Sequence, residues 1–514
     1  MSSELAWQDH TVLVLYLTGM IVFGVWLGKR RKKKENKEED YFLAGRRMPW
    51  FAVGISVIAS ILSSITYLSE PGEVWRSGVT HITGKLVAIP FEMLFVWLIC
   101  IPFLMRFKFT SAYEYLGKRF GNGTRKLGVG MFLLLVVLWM GFVVLASARV
   151  LVAVTGFELW AVIATVGLIA TIYTMLGGMR AVIWTDVIQV ALLIGGGLFT
   201  IFYVMAETGT GLTDWMAAAN QNLEEKNHQS LPIFSFDPTV RATVVTVAFN
   251  MFIWHVCTHL SNQMTVQRYF STKDPKAARR SFITGSLFGV GINLMLVVTG
   301  LALLYFYFGQ GIEIDGGLDP ETRERDQIFP TFAVNRLPAG LGGAILAALL
   351  AAAMSSIDSG INSIATVITV ETKQAGNRLR TAMGITLGAG LFITIAAWLL
   401  DSLPAQWGIV DSLPRTFNAV TAPLGGMFLA GMFLPRVGQK AAICGAIAGM
   451  MTSVTIGYFQ QIGAKFGQQW PEISFNLVMP AALFMTLAVA LLVSFVPGGK
   501  SDRDLAGLTI FSRK

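Results

Sequence analysis

Charge is scarce in this chain. Of its 514 residues, 14% are Asp, Glu, Lys or Arg and 54% are hydrophobic. That balance excludes soluble classes and places the chain among polytopic membrane proteins. Cysteine is almost absent: Cys100, Cys257 and Cys444 sit singly in apolar stretches with no CxxC pairing, which supports neither a disulfide framework nor a zinc site. There is no HExxH and no GxSxG, and Gly498-Gly-Lys-Ser501 lacks the leading glycine of a P-loop, so the chain is not read as an enzyme. No carbonyl-filter repeat or ring of acids suggests a channel. The short tail after the last apolar run leaves no room for the signalling domain that a membrane sensor would add.

The apolar runs organise the rest. Runs long enough to cross a bilayer begin near Thr11, Pro49, Ile82, Lys126, Glu158, Ala181, Val240, Ser281, Leu337, Arg380, Pro414, Lys440 and Asn476, which makes about thirteen transmembrane helices. The first follows acidic residues, has no small-residue cleavage site and precedes Lys29-Arg-Arg-Lys-Lys-Lys34, so it reads as a retained helix. The net charge of +9 is topological and implies no nucleic-acid partner. With the N-terminus outside and the C-terminus cytoplasmic, the alternate loops 29–47, 106–126, 180, 268–280, 373–380 and 436–440 and the tail hold about 30 of the 40 Lys and Arg. The long loops 207–238 and 309–330 fall outside and are acidic or neutral. The chain is therefore expected to be one all-α membrane domain in a cell membrane. Spans two to six and seven to eleven enter from opposite sides with five helices each, the arithmetic of an inverted repeat. This gives an extra helix at 10–30, repeats at 49–206 and 240–435, and two further helices at 440–497. Nothing in the pattern sets an oligomeric state.

Two features do not belong in hydrocarbon. Ser355, Asp358, Ser359 and Asn362 follow i, i+3, i+4, i+7 spacing and share one helix face. Asp186 adds a second carboxylate at membrane depth, where such a group is a functional-site hypothesis by default. Oxygen ligands without thiols suit a hard cation such as an alkali ion. The alternative is that Asp186 caps its helix or pairs with a loop arginine such as Arg180. The second span, 49–71, concentrates Ser and Ala at its centre, which fits either close helix packing or a broken helix whose freed carbonyls hold an ion.

Several stretches resemble the sodium:solute symporter family, which includes sodium/glucose, sialic acid, proline, pantothenate and monocarboxylate carriers. They are Asp40-Tyr-Phe-Leu-Ala-Gly-Arg-Arg47, Leu62-Ser-Ser-Ile-Thr66, Thr110-Ser-Ala-Tyr-Glu-Tyr-Leu116, Ile183-Trp-Thr-Asp-Val-Ile-Gln189, Asn262-Gln263 with Val266-Gln-Arg-Tyr269, and Met354-Ser-Ser-Ile-Asp-Ser-Gly-Ile-Asn-Ser363. The resemblance implies a LeuT-like five-plus-five inverted repeat and sodium-coupled symport of a small organic solute by alternating access. It further implies a first Na+ site made of the Ala59, Leu62 and Ala352 carbonyls and the Ser355 and Ser356 hydroxyls. A second Na+ site in some members would match Asp186, Ser355, Asp358 and Ser359, with Asp358 standing where the family has a hydroxyl. Two carboxylates there could bind sodium tightly or share a proton.

For the solute, the resemblance points to Ser63, Thr66, Lys85, Asn262 and Arg415. Lys85 and Arg415 replace neutral or acidic contacts of related sugar carriers, and a carboxylate would satisfy both. That favours an organic anion, with a neutral sugar as the alternative if Lys85 and Glu92 share a helix face and Arg415 pairs with Asp411. The arginine that some sialic acid carriers use has no match, because Leu138-Trp-Met-Gly141 occupies its stretch. His81, His255 and His259 are read either as proton-coupling groups or as interhelical hydrogen bonders.

Overall fold

A computed structural model describes residues 5–29, 37–226, 232–372, 378–401 and 409–512. The membrane-length helices are α1 (Trp7–Lys29), the bent pair α2 (Trp50–Ile61) and α3 (Ser64–Ser77), α4 (Thr80–Leu104), α5 (Asn122–Thr155) and α6 (Leu159–Thr208). Beyond the loop come α7 (Val244–Ser261) with its short continuation α8 (Gln263–Phe270), then α9 (Pro275–Gly309), α10 (Leu341–Thr372), α11 (Arg378–Asp401), α12 (Ile409–Phe433), α13 (Gln439–Gly457) and α14 (Phe475–Val493). No β-strand is found among the described residues.

The count agrees with the charge pattern once two geometries are recognised. The pair α2 and α3 bends by 68° at Leu62 and Ser63, which leave the helical region, so the pair makes one broken span. At about 1.5 Å per residue the 50 residues of α6 would run to about 75 Å, more than twice the hydrocarbon thickness. Two spans meet there at Gly178, whose φ of 60° and ψ of −165° break the helix in a region that glycine enters without steric cost.

The break between α7 and α8 lies outside the sequence expectation. Asn262 adopts extended backbone (φ −80°, ψ 116°), and its side-chain oxygen accepts from Met264 N at 3.0 Å, capping α8. The second and seventh spans are therefore both interrupted.

α10 is the axis of the molecule, and nearly every side chain along it is buried, from Gly342 to Val367. Its first turn is capped from far away in sequence, where the Asp9 carboxylate of α1 accepts from Gly340 N at 2.9 Å and Gly343 N at 2.6 Å. α2 and α9 approach at Gly54 and Gly285, where a Cβ on either would strike the other's backbone. The outer faces carry exposed Leu15, Phe91, Leu94, Phe202, Leu287 and Phe484, which suits contact with lipid.

Candidate functional site

The break between α2 and α3 frees carbonyls that a continuous helix would use. Leu62 in extended conformation ends the ladder, so the oxygens of Ala59 and Leu62 turn toward α10. Ser355 Oγ lies 3.0 Å from Ala59 O and 3.1 Å from Ala352 O, and Ser356 Oγ lies 3.3 Å from Leu62 O. The five residues expected to form the first sodium site thus come together across the α2–α10 contact, Ser355 with Ala59 and Ala352 and Ser356 with Leu62. Ser355 and Ser356 are buried, and the nest they complete contains no ionised group.

One turn further along α10 the arrangement differs. The Arg268 guanidinium, from α8, is wholly buried and donates to Asp186 Oδ2 at 3.0 Å, Ser56 Oγ at 2.7 Å, Met264 O at 2.7 Å and Ser359 Oγ. Ser56 Oγ in turn donates to Asp186 Oδ2 at 2.5 Å. Asp358 Oδ2 accepts from Tyr173 at 2.8 Å, and Ser359 Oγ lies 2.5 Å from Ser355 O. The residues expected to form a second sodium site are therefore assembled, but around a cation that the chain supplies. The reading that Asp186 caps its helix or pairs with a loop arginine such as Arg180 is corrected in its partner, which is Arg268, 82 positions along the chain. Sequence reading quotes Arg268 only within a motif, since no local spacing reveals a pairing over that distance.

Beside the break between α2 and α3 lies a cavity of about 390 Å³, a volume suited to a small molecule. Ser63, Thr66, Lys85 and Arg415 line it, together with Glu70, Glu73, Glu92, Asn250 and Asn418. Its apolar wall includes Leu86, Ile89, Met251 and Trp254, and the stacked pair Trp139 and Phe417 with centroids 5.6 Å apart. Asn262 is not among the lining residues, and its side-chain oxygen caps α8.

Neither cavity cation is unpartnered. Lys85 Nζ pairs with Glu70, and Glu70 Oε2 is also 3.0 Å from His81 Nε2. Arg415 pairs with Glu472, whose side chain is 58% exposed. The expected partners were Glu92 for Lys85 and Asp411 for Arg415, and the side chain of Asp411 lies outside the described residues. Glu73 receives Arg241 at 3.0 Å and Arg325 at 3.7 Å. The three histidines also have neighbours: His81 meets Glu70, His255 lies 3.3 Å from Glu92, and His259 Nδ1 lies 2.6 Å from the Tyr269 hydroxyl.

Comparison with known proteins adds an independent line. The model of the sodium:solute symporter family matches residues 41–449. The sodium/sialic acid symporter of Proteus mirabilis is 30% identical over 89% of this chain and 91% of its own length. The human sodium-coupled monocarboxylate transporter 2 is 30% identical over 86% of this chain and 70% of its own. The human sodium/iodide cotransporter is 29% identical over 88% and 69%. Among solved structures, the substrate-bound outward-open state of a Na+-coupled sialic acid symporter, which reveals a novel Na+ site, superposes with a TM-score of 0.82 at 27% identity, covering 97% of this chain and all of that one.

Proposed function

The chain belongs to the sodium:solute symporter family and is a sodium-coupled symporter of LeuT-like fold, and on that premise we propose that it carries one sodium ion and one small organic anion per cycle. The sodium ion is bound by the carbonyls of Ala59, Leu62 and Ala352 and the hydroxyls of Ser355 and Ser356. The observation that carries this is the convergence of those five residues at the break between α2 and α3. Neutral oxygens suit an ion that must also leave, because no fixed charge holds it. Bound sodium ties α2 to α10 and favours the state open to the outside; solute then joins it, and the molecule rocks to release both inside.

Arg268 argues for a single sodium. A guanidinium already donates to Asp186 and Ser359 where a second ion would sit, so the Asp186 cluster acts as a joint. The charge pattern supports an N-terminus outside and a C-terminus in the cytoplasm, with an extra helix at 10–30, repeats at 49–206 and 240–435 and two accessory helices at 440–497.

An anionic solute is supported by Arg415 and Lys85. Arg415 is held by an exposed glutamate that can swing into water, which leaves the guanidinium for a bidentate carboxylate. Lys85 can release Glu70 because His81 stays on it. An anion beside the sodium ion also lets the pair enter a low-dielectric site together. Relatives named for sialic acid, iodide and monocarboxylates are named for anions. A neutral sugar is the second reading, favoured by the carboxylate partner that each cation already has.

The discriminating experiment is thermal stabilisation of the purified protein, in sodium and in potassium, by short monocarboxylates, sugar acids, amino acids and neutral sugars. A sodium-dependent shift with acids, lost in Lys85→Gln with the shift from sodium alone preserved, is the expected result. Shifts with neutral sugars only would overturn the anion assignment. Uptake of a monoanion with one sodium ion moves no net charge, so membrane potential, worth about 2.3 kcal/mol per charge per 100 mV, should leave it unchanged in proteoliposomes.

A further inference from the structure

The ionic groups of the cavity are unevenly satisfied. Each lining cation already has a carboxylate: Lys85 has Glu70, Arg241 has Glu73 and Arg415 has Glu472. The leftover groups are acceptors. Glu92, with a side chain 5% exposed, makes no hydrogen bond at Oε2 among the described residues; His255 Nε2 stands 3.3 Å away but out of line for one. Asn250 Oδ1 and Asn418 Oδ1 are likewise buried without a partner, and so is His255 Nδ1. All four residues line the cavity.

A buried carboxyl oxygen left without a hydrogen bond is costly to a protein. In a carrier the missing partner can arrive with the cargo. A plain carboxylate would bring only more acceptors, so it would leave Glu92 and both asparagines as they are. We propose that Glu92 is a second recognition point for the solute, and that the transported acid bears an N–H donor, an amide, ureide or ammonium, at the end opposite its carboxylate. The inference rests on the anion reading only for the placement of the acid group at Lys85 and Arg415.

Helix geometry supplies the spacing. Lys85 and Glu92 stand seven residues apart on α4, just under two turns, so they share a face about 10 Å apart along the axis. Leu86 and Ile89 line the stretch between them. The cavity thus presents cation, apolar wall and bare acceptor in that order, which is the complement of an acid with an apolar middle and a donor at its far end.

The test compares four ligands of one length in the purified full-length protein with sodium present: hexanoate, 6-aminohexanoate, 6-ureidohexanoate, and hexylurea as the donor without the acid. Binding is read by thermal shift and by competition calorimetry. The expected result is that at least one donor-bearing acid binds ten times more tightly than hexanoate, and that Glu92→Gln removes most of the advantage. The amino and ureido arms distinguish a charged from a neutral donor. Retention of the stabilisation by sodium alone in Glu92→Gln certifies that the variant is folded, and Glu92→Leu serves as a second variant. Equal binding of hexanoate and both donor acids overturns the proposal, and so does a donor preference that survives both substitutions. Glu92-dependent binding of hexylurea with no binding of any acid upholds the donor site while sinking the anion reading. If none of the four binds, both fall.

Discussion

Two oxygen clusters lie on α10, one turn apart, and they meet positive charge in opposite ways. At Ser355 and Ser356 the lining is hydroxyl and carbonyl, with no ionised group. At Ser359 the lining includes Asp186 and Arg268, both fully buried and locked to each other and to Ser56. The first costs little to assemble and, in the function proposed, would bind a visiting ion reversibly. The second gathers a fixed cation, a carboxylate and two hydroxyls from α2, α6, α8 and α10, which makes it a rivet. Side chains of similar chemistry on adjoining turns thus serve exchange in one case and fixation in the other, and what separates them is whether the protein brings its own cation.

The strongest way to break that contrast is to remove the fixed cation. Arg268→Met leaves Asp186 buried and unpaired, which should cost roughly 3–5 kcal/mol and appear as a large fall in melting temperature. The double replacement of Arg268→Met with Asp186→Leu should recover most of that loss. If the single variant melts like the parent, the cluster is no rivet. Next comes the exchangeable site: Ser355→Ala with Ser356→Ala should weaken sodium binding at least tenfold, about 1.4 kcal/mol, in sodium titrations of melting temperature, with stability in potassium little changed. Undiminished sodium response would remove the site.

A third measurement sharpens the boundary between the clusters. If only the neutral nest exchanges sodium, uptake should depend on sodium with a Hill slope of roughly 1, in the parent and in Asp358→Asn alike. A slope well above 1 in the parent that drops in the variant would make Asp358 part of a second exchangeable site. The smallest effect is expected from Ser56→Ala, which deletes one hydrogen bond to each partner of the rivet. It should lower stability by about 1 kcal/mol and leave sodium affinity alone.

Sequence reading reached the helices because their signals are local. Apolar run length and loop charge placed thirteen spans, and the structure recovers them through the bend at Leu62 and Ser63 and the break at Gly178. The same locality explains the misses. The cap that Asn262 makes is invisible until its backbone is seen to leave the helix. The partners of Asp186, Lys85 and Arg415 are 82, 15 and 57 residues away. None is reachable by helical spacing, which looks only three, four or seven residues along the same helix. The proposed sodium nest came from the family resemblance instead, and what local reading added was the break, which the Ser-rich centre of the second span already suggests.

The bond from Asp9 to the start of α10 bears on how the chain is assembled. The carboxylate enters the membrane region with the first helix made, whereas the two amides it serves, those of Gly340 and Gly343, are synthesised more than 300 residues later. Until then the acid lacks these two donors, and the first turn of α10 lacks this cap. The first helix therefore waits for α10, and this contact can close only after the nine helices α1 to α9 have been made.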